Sequence, residues 1–176
     1  KSRSRVIGLH PMFRPGKTGF KNQKIILCKG RTDKKTLQEV KNLFEKSGGS
    51  LGGSGSTAYL FSPKGELRVV SKGADKETEM LELIDLGAGD IEDYLDENKQ
   101  KYLVYTEATK VAEVGNKITQ AGYRIELQEL VMKPTVVVEI NDQETAQKVL
   151  DFTGKLEELD DIQKVYTNFD IPDELI

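Results

Sequence analysis

The sequence of 176 residues is poor in the side chains that build disulfides and zinc sites, with a single cysteine and a single histidine. Because Cys28 has no second cysteine as a partner, an internal disulfide is excluded, and paired zinc ligands are missing. Cys28 lies in the apolar run of residues 25–28, which predicts a small buried thiol, with a catalytic nucleophile as the alternative. No apolar run approaches the roughly 20 residues that cross a bilayer, so we expect no membrane partner.

Complete motifs for nucleotide binding or catalysis are also missing. Residues 14–18 match the end of a P-loop, but Pro11 stands where that pattern needs a glycine. The acidic regions at residues 85–97 and 157–161 favour a solvated surface, with paired-carboxylate catalysis or a Mg²⁺ site as the alternatives. We therefore expect no enzyme activity, no catalytic residue, no bound metal and no cofactor.

Charge is distributed unevenly along the chain. Residues 1–35 hold eleven of the 26 Lys and Arg residues and one of the 29 Asp and Glu residues, so they carry +10 and the remainder −13. This pattern predicts a basic arm on an acidic body. Such an arm can neutralise phosphates in a salt-dependent manner, and the alternative is a solvated tail. The candidate nucleic-acid-binding residues of the arm are Arg3, Arg5, Arg14, Lys17 and Lys21.

Hydrophobic periodicity predicts an α+β fold with a split ferredoxin-like domain. A strand at residues 24–28 precedes a helix with Thr36 as its N-cap and Gly48 or Gly49 at its end. The remaining predicted elements of this domain are strands at residues 57–61 and 66–70 around a turn at 62–65, a strand at 136–140, a helix capped by Asn141, and a strand at 162–169. The first four elements joined to the C-terminal helix and strand give the β-α-β-β-α-β order, and the strand at 136–140 lies between the two parts.

The middle of the chain is predicted to be a second, smaller α+β domain inserted into the first. Met80, Leu81 and Ile84 are expected to point into its core. The predicted domains are a basic irregular segment at residues 1–22, the split ferredoxin-like domain at 23–72 and 136–176, and the inserted domain at 73–135.

The glycine-rich stretch of residues 48–55 has three readings: a linker, a phosphate-binding loop, or an ordered turn between a helix and a strand. It leads into a predicted strand rather than a helix, which argues against a phosphate-binding loop. Leu51 interrupts the glycines and is predicted to anchor the segment in the core, which argues against a linker. An ordered turn is therefore predicted.

The six tyrosines lie mostly in predicted strands. Packing within the core is the favoured interpretation, and stacking of nucleic-acid bases on an exposed sheet is the alternative.

Four segments together resemble a known family. They read TLQEVKNLFEKSGGSLGGSGSTAYLFSPKG (residues 36–65), LELIDLGAGDIED (81–93), ELVMKP (129–134) and ETAQKVLDFTGKLEELDDIQKVYTNFDIP (144–172). In this order they resemble the YebC family of transcriptional regulators and translational activators. The resemblance covers residues 24–176 and does not include the N-terminal helical domain of that family.

The resemblance implies a non-enzymatic, ribosome-associated translation factor that binds rRNA or tRNA and promotes translation of difficult sequences, for example proline-rich ones. A DNA-binding transcriptional regulator is the alternative. We expect a monomer, in the bacterial cytoplasm or, in a eukaryote, the mitochondrial matrix. The glycine-rich turn supplies a second set of candidate nucleic-acid-binding residues, because glycine backbone can approach RNA closely: Gly48, Gly49, Gly52, Gly53 and Ser54.

Overall fold

The computed structural model describes residues 5–10, 25–30, 33–52 and 57–175. The chain forms two compact units, unit 1 from Lys1–Ser62 and Lys133–Ile176, and unit 2 from Pro63–Met132. The α+β class with one unit inserted into the other is confirmed. The units change over at residues 62/63 and 132/133, whereas the sequence divided the chain at 72/73 and 135/136.

The chain contains four helices, ten strands and two 3-10 turns among its described residues. In order, the elements are β1 (Arg5–His10), β2 (Ile26–Gly30), α1 (Lys34–Lys46), β3 (Ser50–Leu51), a 3-10 turn (Ala58–Leu60), β4 (Phe61–Val70), α2 (Lys76–Asp85), β5 (Asp90–Asp96), β6 (Lys99–Glu107), α3 (Val111–Gln120), β7 (Arg124–Pro134), β8 (Val138–Glu139), α4 (Gln143–Glu157), β9 (Ile162–Thr167), β10 (Phe169–Asp170) and a second 3-10 turn (Asp173–Leu175). Among the described residues, no helix is both long enough and apolar enough to cross a membrane.

Unit 1 contains a four-stranded sheet in the order β3-β1-β2-β9, in which every neighbouring pair is antiparallel. Side chains from α1, α4, β2 and β9 share one core: Ile26, Cys28, Val40, Phe44, Phe152, Leu156 and Ile162. Phe44 of α1 and Phe152 of α4 meet edge to face, with ring centroids 4.6 Å apart. Leu51 packs against this core, as predicted from the sequence.

The strand β1 is a correction to the sequence analysis, which predicted an irregular segment at residues 1–22. Residues 5–9 pair with β2, and Leu9 and His10 pair with β3. The sequence around β1 has few periodic apolar positions, so the strand is specified by hydrogen bonds to distant partners rather than by its own composition.

Three helices begin with the same short pattern, Asp-x-x-Thr. In each, the aspartate is the N-cap and its carboxylate accepts the backbone N–H of the threonine, which satisfies an otherwise unpaired donor. The pairs and their N···O distances are Asp33 and Thr36 (2.8 Å), Asp75 and Thr78 (3.2 Å), and Asp142 and Thr145 (2.7 Å). The predicted N-caps Thr36 and Asn141 are therefore wrong, because an aspartate carboxylate occupies the capping position.

The end of α1 follows the sequence prediction. Gly48 has a φ of +77°, a conformation that residues with a Cβ rarely adopt. Its N–H donates to the carbonyl of Glu45 (3.2 Å), and the N–H of Gly49 donates to the carbonyl of Phe44 (2.8 Å). This pair of bonds is the Schellman arrangement, which closes the helix and directs the chain into β3.

Unit 2 contains β4, α2, β5, β6, α3 and β7, and its sheet has the order β5-β6-β4-β7. The β-α-β-β-α-β order that the sequence analysis assembled across the split unit therefore occurs without interruption in unit 2, with the ferredoxin-like arrangement of strands. The predicted turn at residues 62–65 is wrong, because β4 is continuous through it. Pairing of β4 with β6 begins at Lys64, so the missing N–H of Pro63 costs no bond to β6.

The inward face of α2 differs from the sequence prediction. Leu81 and Ile84 are exposed, at 64% and 52%, whereas Leu83 and the carboxylate residue Glu79 are fully buried. Met80 packs against the core of unit 2, as expected. The helix is turned so that Glu79 faces the sheet, where its hydrogen bonds offset the cost of burying a charge.

Candidate nucleic-acid interface

Basic side chains gather at one end of the unit 1 sheet, which we call the basic end and define by Lys29, Lys34, Lys35 and Lys164. Lys29 of β2 lies directly opposite Lys164 of β9. Lys34 and Lys35 are exposed at the start of α1, three residues or more after β2 ends. The strand pairing also brings the backbone of Arg5 opposite Gly30, so this residue of the basic arm belongs to the same end of the sheet.

Lys29 and Lys164 project from the sheet face that is opposite to α1 and α4. Their strand neighbours Cys28 and Val165 pack into the helix-covered core, and side chains alternate between the two faces of a strand. Two ammonium groups on one face of neighbouring strands can both contact the same phosphate.

Two acidic side chains near the basic end, Asp33 and Asp161, are hydrogen-bonded to Thr36. The hydroxyl of Thr36 lies 2.9 Å from Asp33 Oδ1 and 2.6 Å from Asp161 Oδ2. The backbone N–H and then the hydroxyl of Thr36 hold the pKa of Asp33 below its ordinary value. Asp33 therefore remains ionised as the cap of α1, and its negative charge is directed at the helix N-terminus.

The glycine-rich turn lies away from the basic end. Ser50, which follows Gly48 and Gly49, pairs with His10 at the far end of β1 from Arg5. Since a strand advances about 3.3 Å per residue, Arg5 and His10 are roughly 17 Å apart. The structure thus places Arg5, the described member of the basic arm, and the glycine-rich turn towards opposite ends of one strand.

Six of the ten predicted site residues lie outside the described residues: Arg3, Arg14, Lys17, Lys21, Gly53 and Ser54. The structure describes the backbone of Arg5 and places Gly48, Gly49 and Gly52 between α1 and the segment that follows β3. Lys29, Lys34 and Lys35 lie within the basic segment of residues 1–35, but they were not among the residues predicted to bind nucleic acid. The sequence analysis missed Lys164 altogether, because only the pairing of β9 with β2 brings that lysine to the site.

The structure contradicts the alternative of a cysteine nucleophile. Cys28 is fully buried, and burial, followed by the negative charge of Glu157, raises the pKa of its thiol to about 12. A thiol in this environment stays protonated at neutral pH, whereas the thiolate is the reactive form. Within the part of the chain that the structure describes, no three Asp, Glu, His or Cys side chains converge as metal ligands do.

Replacing either of two buried threonines of unit 1 with valine is expected to change stability, in opposite directions for the two residues. Thr57, at the end of the glycine-rich stretch, has a buried hydroxyl without a hydrogen-bond partner, whereas the buried hydroxyl of Thr36 has two carboxylates in reach. We expect Thr57→Val to stabilise the protein by about 1 kcal/mol and Thr36→Val to destabilise it by about 1–2 kcal/mol. Urea unfolding of both variants measures this, and a loss of stability in Thr57→Val would show that its hydroxyl is satisfied.

Comparison with known proteins gives consistent matches over most of the chain. A family model described as "TACO1/YebC second and third domain" matches residues 20–169. A "probable transcriptional regulatory protein" of Aquifex aeolicus is 39% identical over 142 residues, which are 81% of this chain and 55% of the relative. A protein of the same name from Actinobacillus pleuropneumoniae is 37% identical over 163 residues, or 93% of this chain and 62% of the relative.

A solved structure agrees with these matches. The crystal structure of a conserved hypothetical protein from Aquifex aeolicus superposes with a TM-score of 0.79 and 34% identity, over 99% of this chain and 68% of that one. This chain spans 55% to 62% of the length of the two curated relatives described above. The family match and the identities together show that the chain belongs to the TACO1/YebC family and corresponds to its second and third domains.

Proposed function

We propose that this chain is the nucleic-acid-binding part of a regulator of gene expression and that it carries no catalytic activity. The observation that supports the proposal is the basic end of unit 1, where Lys29 and Lys164 lie opposite each other on neighbouring strands. Lysine pairs of this kind contact the phosphate backbone, which is common to DNA and RNA. Such contacts give affinity and position, and they do not read sequence.

A DNA-binding transcriptional regulator is the first candidate. The relatives from Aquifex aeolicus and Actinobacillus pleuropneumoniae are both named probable transcriptional regulatory proteins. These names support the alternative of the sequence analysis better than its main hypothesis. In this candidate the basic end would hold the phosphates of a DNA target.

A ribosome-associated translation factor that contacts rRNA or tRNA is the second candidate. The observation in its favour is the charge of α1, since Lys35 and Lys41 each lie within 4 Å of a glutamate one turn later, at 3.8 Å and 3.7 Å. The balanced charge makes α1 poorly suited to enter a major groove as a recognition helix. Lys29 and Lys164 lie instead on neighbouring strands, which suits contacts to the backbone of an irregular RNA.

Charge reversal at the basic end tests the proposal. We expect Lys29→Glu combined with Lys164→Glu to weaken binding of labelled duplex DNA or RNA at least tenfold. The slope of log affinity against log salt should become shallower by about one for each lysine. Fluorescence anisotropy at several salt concentrations measures both quantities.

The matched control combines Lys110→Glu with Lys117→Glu in unit 2, which changes net charge by the same amount and also breaks two ion pairs with glutamates. Equal losses in the two double variants would show that net charge alone governs binding and would contradict the proposal. Co-sedimentation of the unaltered protein with ribosomes, compared with its affinity for duplex DNA, separates the two candidate functions. A protein that binds neither nucleic acid nor ribosomes would overturn both.

A further inference from the structure

Tyr59 is the exposed member of the six tyrosines. It lies in the middle of the 3-10 turn Ala58–Leu60, and 61% of its surface is exposed. The residues on either side of the turn are buried, with Thr57 at 0% and Phe61 at 4%. The backbone of this turn is therefore anchored at both ends while one aromatic ring extends into solvent.

Hydrogen bonds also fix the turn in place. The carbonyl of Leu60 accepts the backbone N–H of Thr135 at 2.8 Å and the hydroxyl of Thr135 at 3.0 Å. The N–H of Leu60 donates to the carbonyl of Thr57 at 3.0 Å. An aromatic side chain on a fixed backbone loses little conformational freedom when a flat ligand stacks on it.

The 3-10 turn and the glycine-rich turn lie beside the same strand. Residues of Ala58–Leu60 come within 8 Å of β1, measured between Cα atoms. The glycine-rich turn leads into β3, which pairs with Leu9 and His10 of β1. Both turns therefore border β1, and the glycine-rich turn does so at the Leu9–His10 end of the strand.

We propose that the Tyr59 ring stacks on an unpaired base of a single-stranded nucleic acid. The inference rests on the proposed function and extends it from phosphate contact to a class of ligand. Every base has a flat face, so a single aromatic platform accepts any base and gives affinity without sequence preference. A base within a duplex is already stacked on both faces, so it cannot use this ring without being displaced.

The test compares Tyr59→Ala with Tyr59→Phe in the full chain. Three labelled probes of about twelve nucleotides are used, a single-stranded RNA, a single-stranded DNA of the same sequence and the corresponding duplex DNA. We expect Tyr59→Ala to bind the single strands about tenfold more weakly and Tyr59→Phe to bind them as the unaltered protein does. Duplex affinity should be unchanged in both variants. A probe carrying 2-aminopurine should show quenching with the unaltered protein and with Tyr59→Phe, and not with Tyr59→Ala.

Tyr94→Ala, at a half-buried tyrosine of β5 in unit 2, is the matched control and should bind all probes normally. Thermal unfolding of each variant checks that the fold is retained. The inference is overturned if Tyr59→Ala binds single strands normally, if Tyr59→Phe loses as much affinity, or if the duplex loses as much as the single strands. Unequal losses for the RNA and DNA strands would identify which of them is the ligand. If the unaltered protein binds the duplex or ribosomes but not the single strands, this inference is wrong and the proposed function stands.

Discussion

Replacing Glu79 with alanine is expected to destabilise the protein by about 3 kcal/mol or more. Glu79 is fully buried in unit 2, and its Oε2 accepts the hydroxyl of Tyr102 at 2.7 Å. Its Oε1 accepts the backbone N–H groups of Lys72 and Ala74, each at 3.0 Å. Alanine would leave these donors without a partner and would open a cavity between α2 and the sheet. Urea unfolding, with hydrogen exchange of the α2 and β6 amides, measures the loss.

Two controls distinguish the buried network from general effects of charge on α2. Glu77→Ala removes an exposed carboxylate from the same helix and should change stability by less than about 0.5 kcal/mol. Glu79→Gln keeps the volume and one acceptor oxygen, so it should lie between the alanine variant and the unaltered protein. Equal stability of the Glu77 and Glu79 alanine variants would show that the hydrogen bonds to Glu79 from the loop between β4 and α2 do not stabilise the fold.

The same carboxylate predicts a dependence of stability on pH. Burial alone raises the pKa of Glu79, but hydrogen bonds from Ser71, Tyr102, Ala74 and Lys72 outweigh it, so the pKa lies below its ordinary value. A lowered pKa in the folded state gives stability that is present above the unfolded pKa of about 4.3 and is lost as pH falls through the folded value. The stability gap between the unaltered protein and Glu79→Gln should therefore be largest near neutral pH and should shrink below pH 4 or so.

Replacing Gly30 with alanine is expected to have the second large effect, a loss of about 3 kcal/mol. A Cβ on Gly30 would overlap the backbone carbonyl oxygen of Asp161 and would lie 3.0 Å from the Cα of Ile162. Both neighbours are backbone atoms at the start of β9, so β9 would have to shift away from β2. Thermal unfolding of the variant measures the loss.

Gly154→Ala in α4 is the matched control, because apart from the adjoining residues and backbone of α4 nothing lies within 4 Å of the Cβ it would add. Alanine is favoured over glycine inside a helix, so this variant should gain about 0.5–1 kcal/mol. If the strand shift occurs, Gly30→Ala should also weaken nucleic-acid binding, since it would separate Lys29 from Lys164. A Gly30→Ala variant as stable as the unaltered protein would show that β2 and β9 are less closely packed than the structure shows them.

The sequence by itself determined the features that depend on neighbours a few positions apart. Apolar positions repeating at helical spacing predicted α1 and α4, and the glycine pair after α1 predicted how that helix ends. Gly48 ends α1 because its positive φ turns the chain so that the N–H groups of Gly48 and Gly49 reach carbonyls in the last turn of the helix. All of these residues are close together in the sequence, so the sequence predicts the helix end. The α+β class and the insertion of one unit into another also followed from the order of the elements.

The residues of the candidate interface come together only in the tertiary structure. Thr36 and Asp161 are 125 positions apart in the sequence, yet their side chains are 2.6 Å apart at the basic end. Lys164 joins Lys29 only because β9 pairs with β2, and β1 is a strand only because β2 and β3 pair with it on either side. Nothing in the local sequence of α2 indicates that Glu79 is buried. Its burial depends on the backbone N–H groups of Lys72 and Ala74, in the loop between β4 and α2, which donate to its carboxylate. Local periodicity reports which face of an element is apolar, whereas the partner of a strand or a buried charge depends on contacts between residues that are distant in the chain.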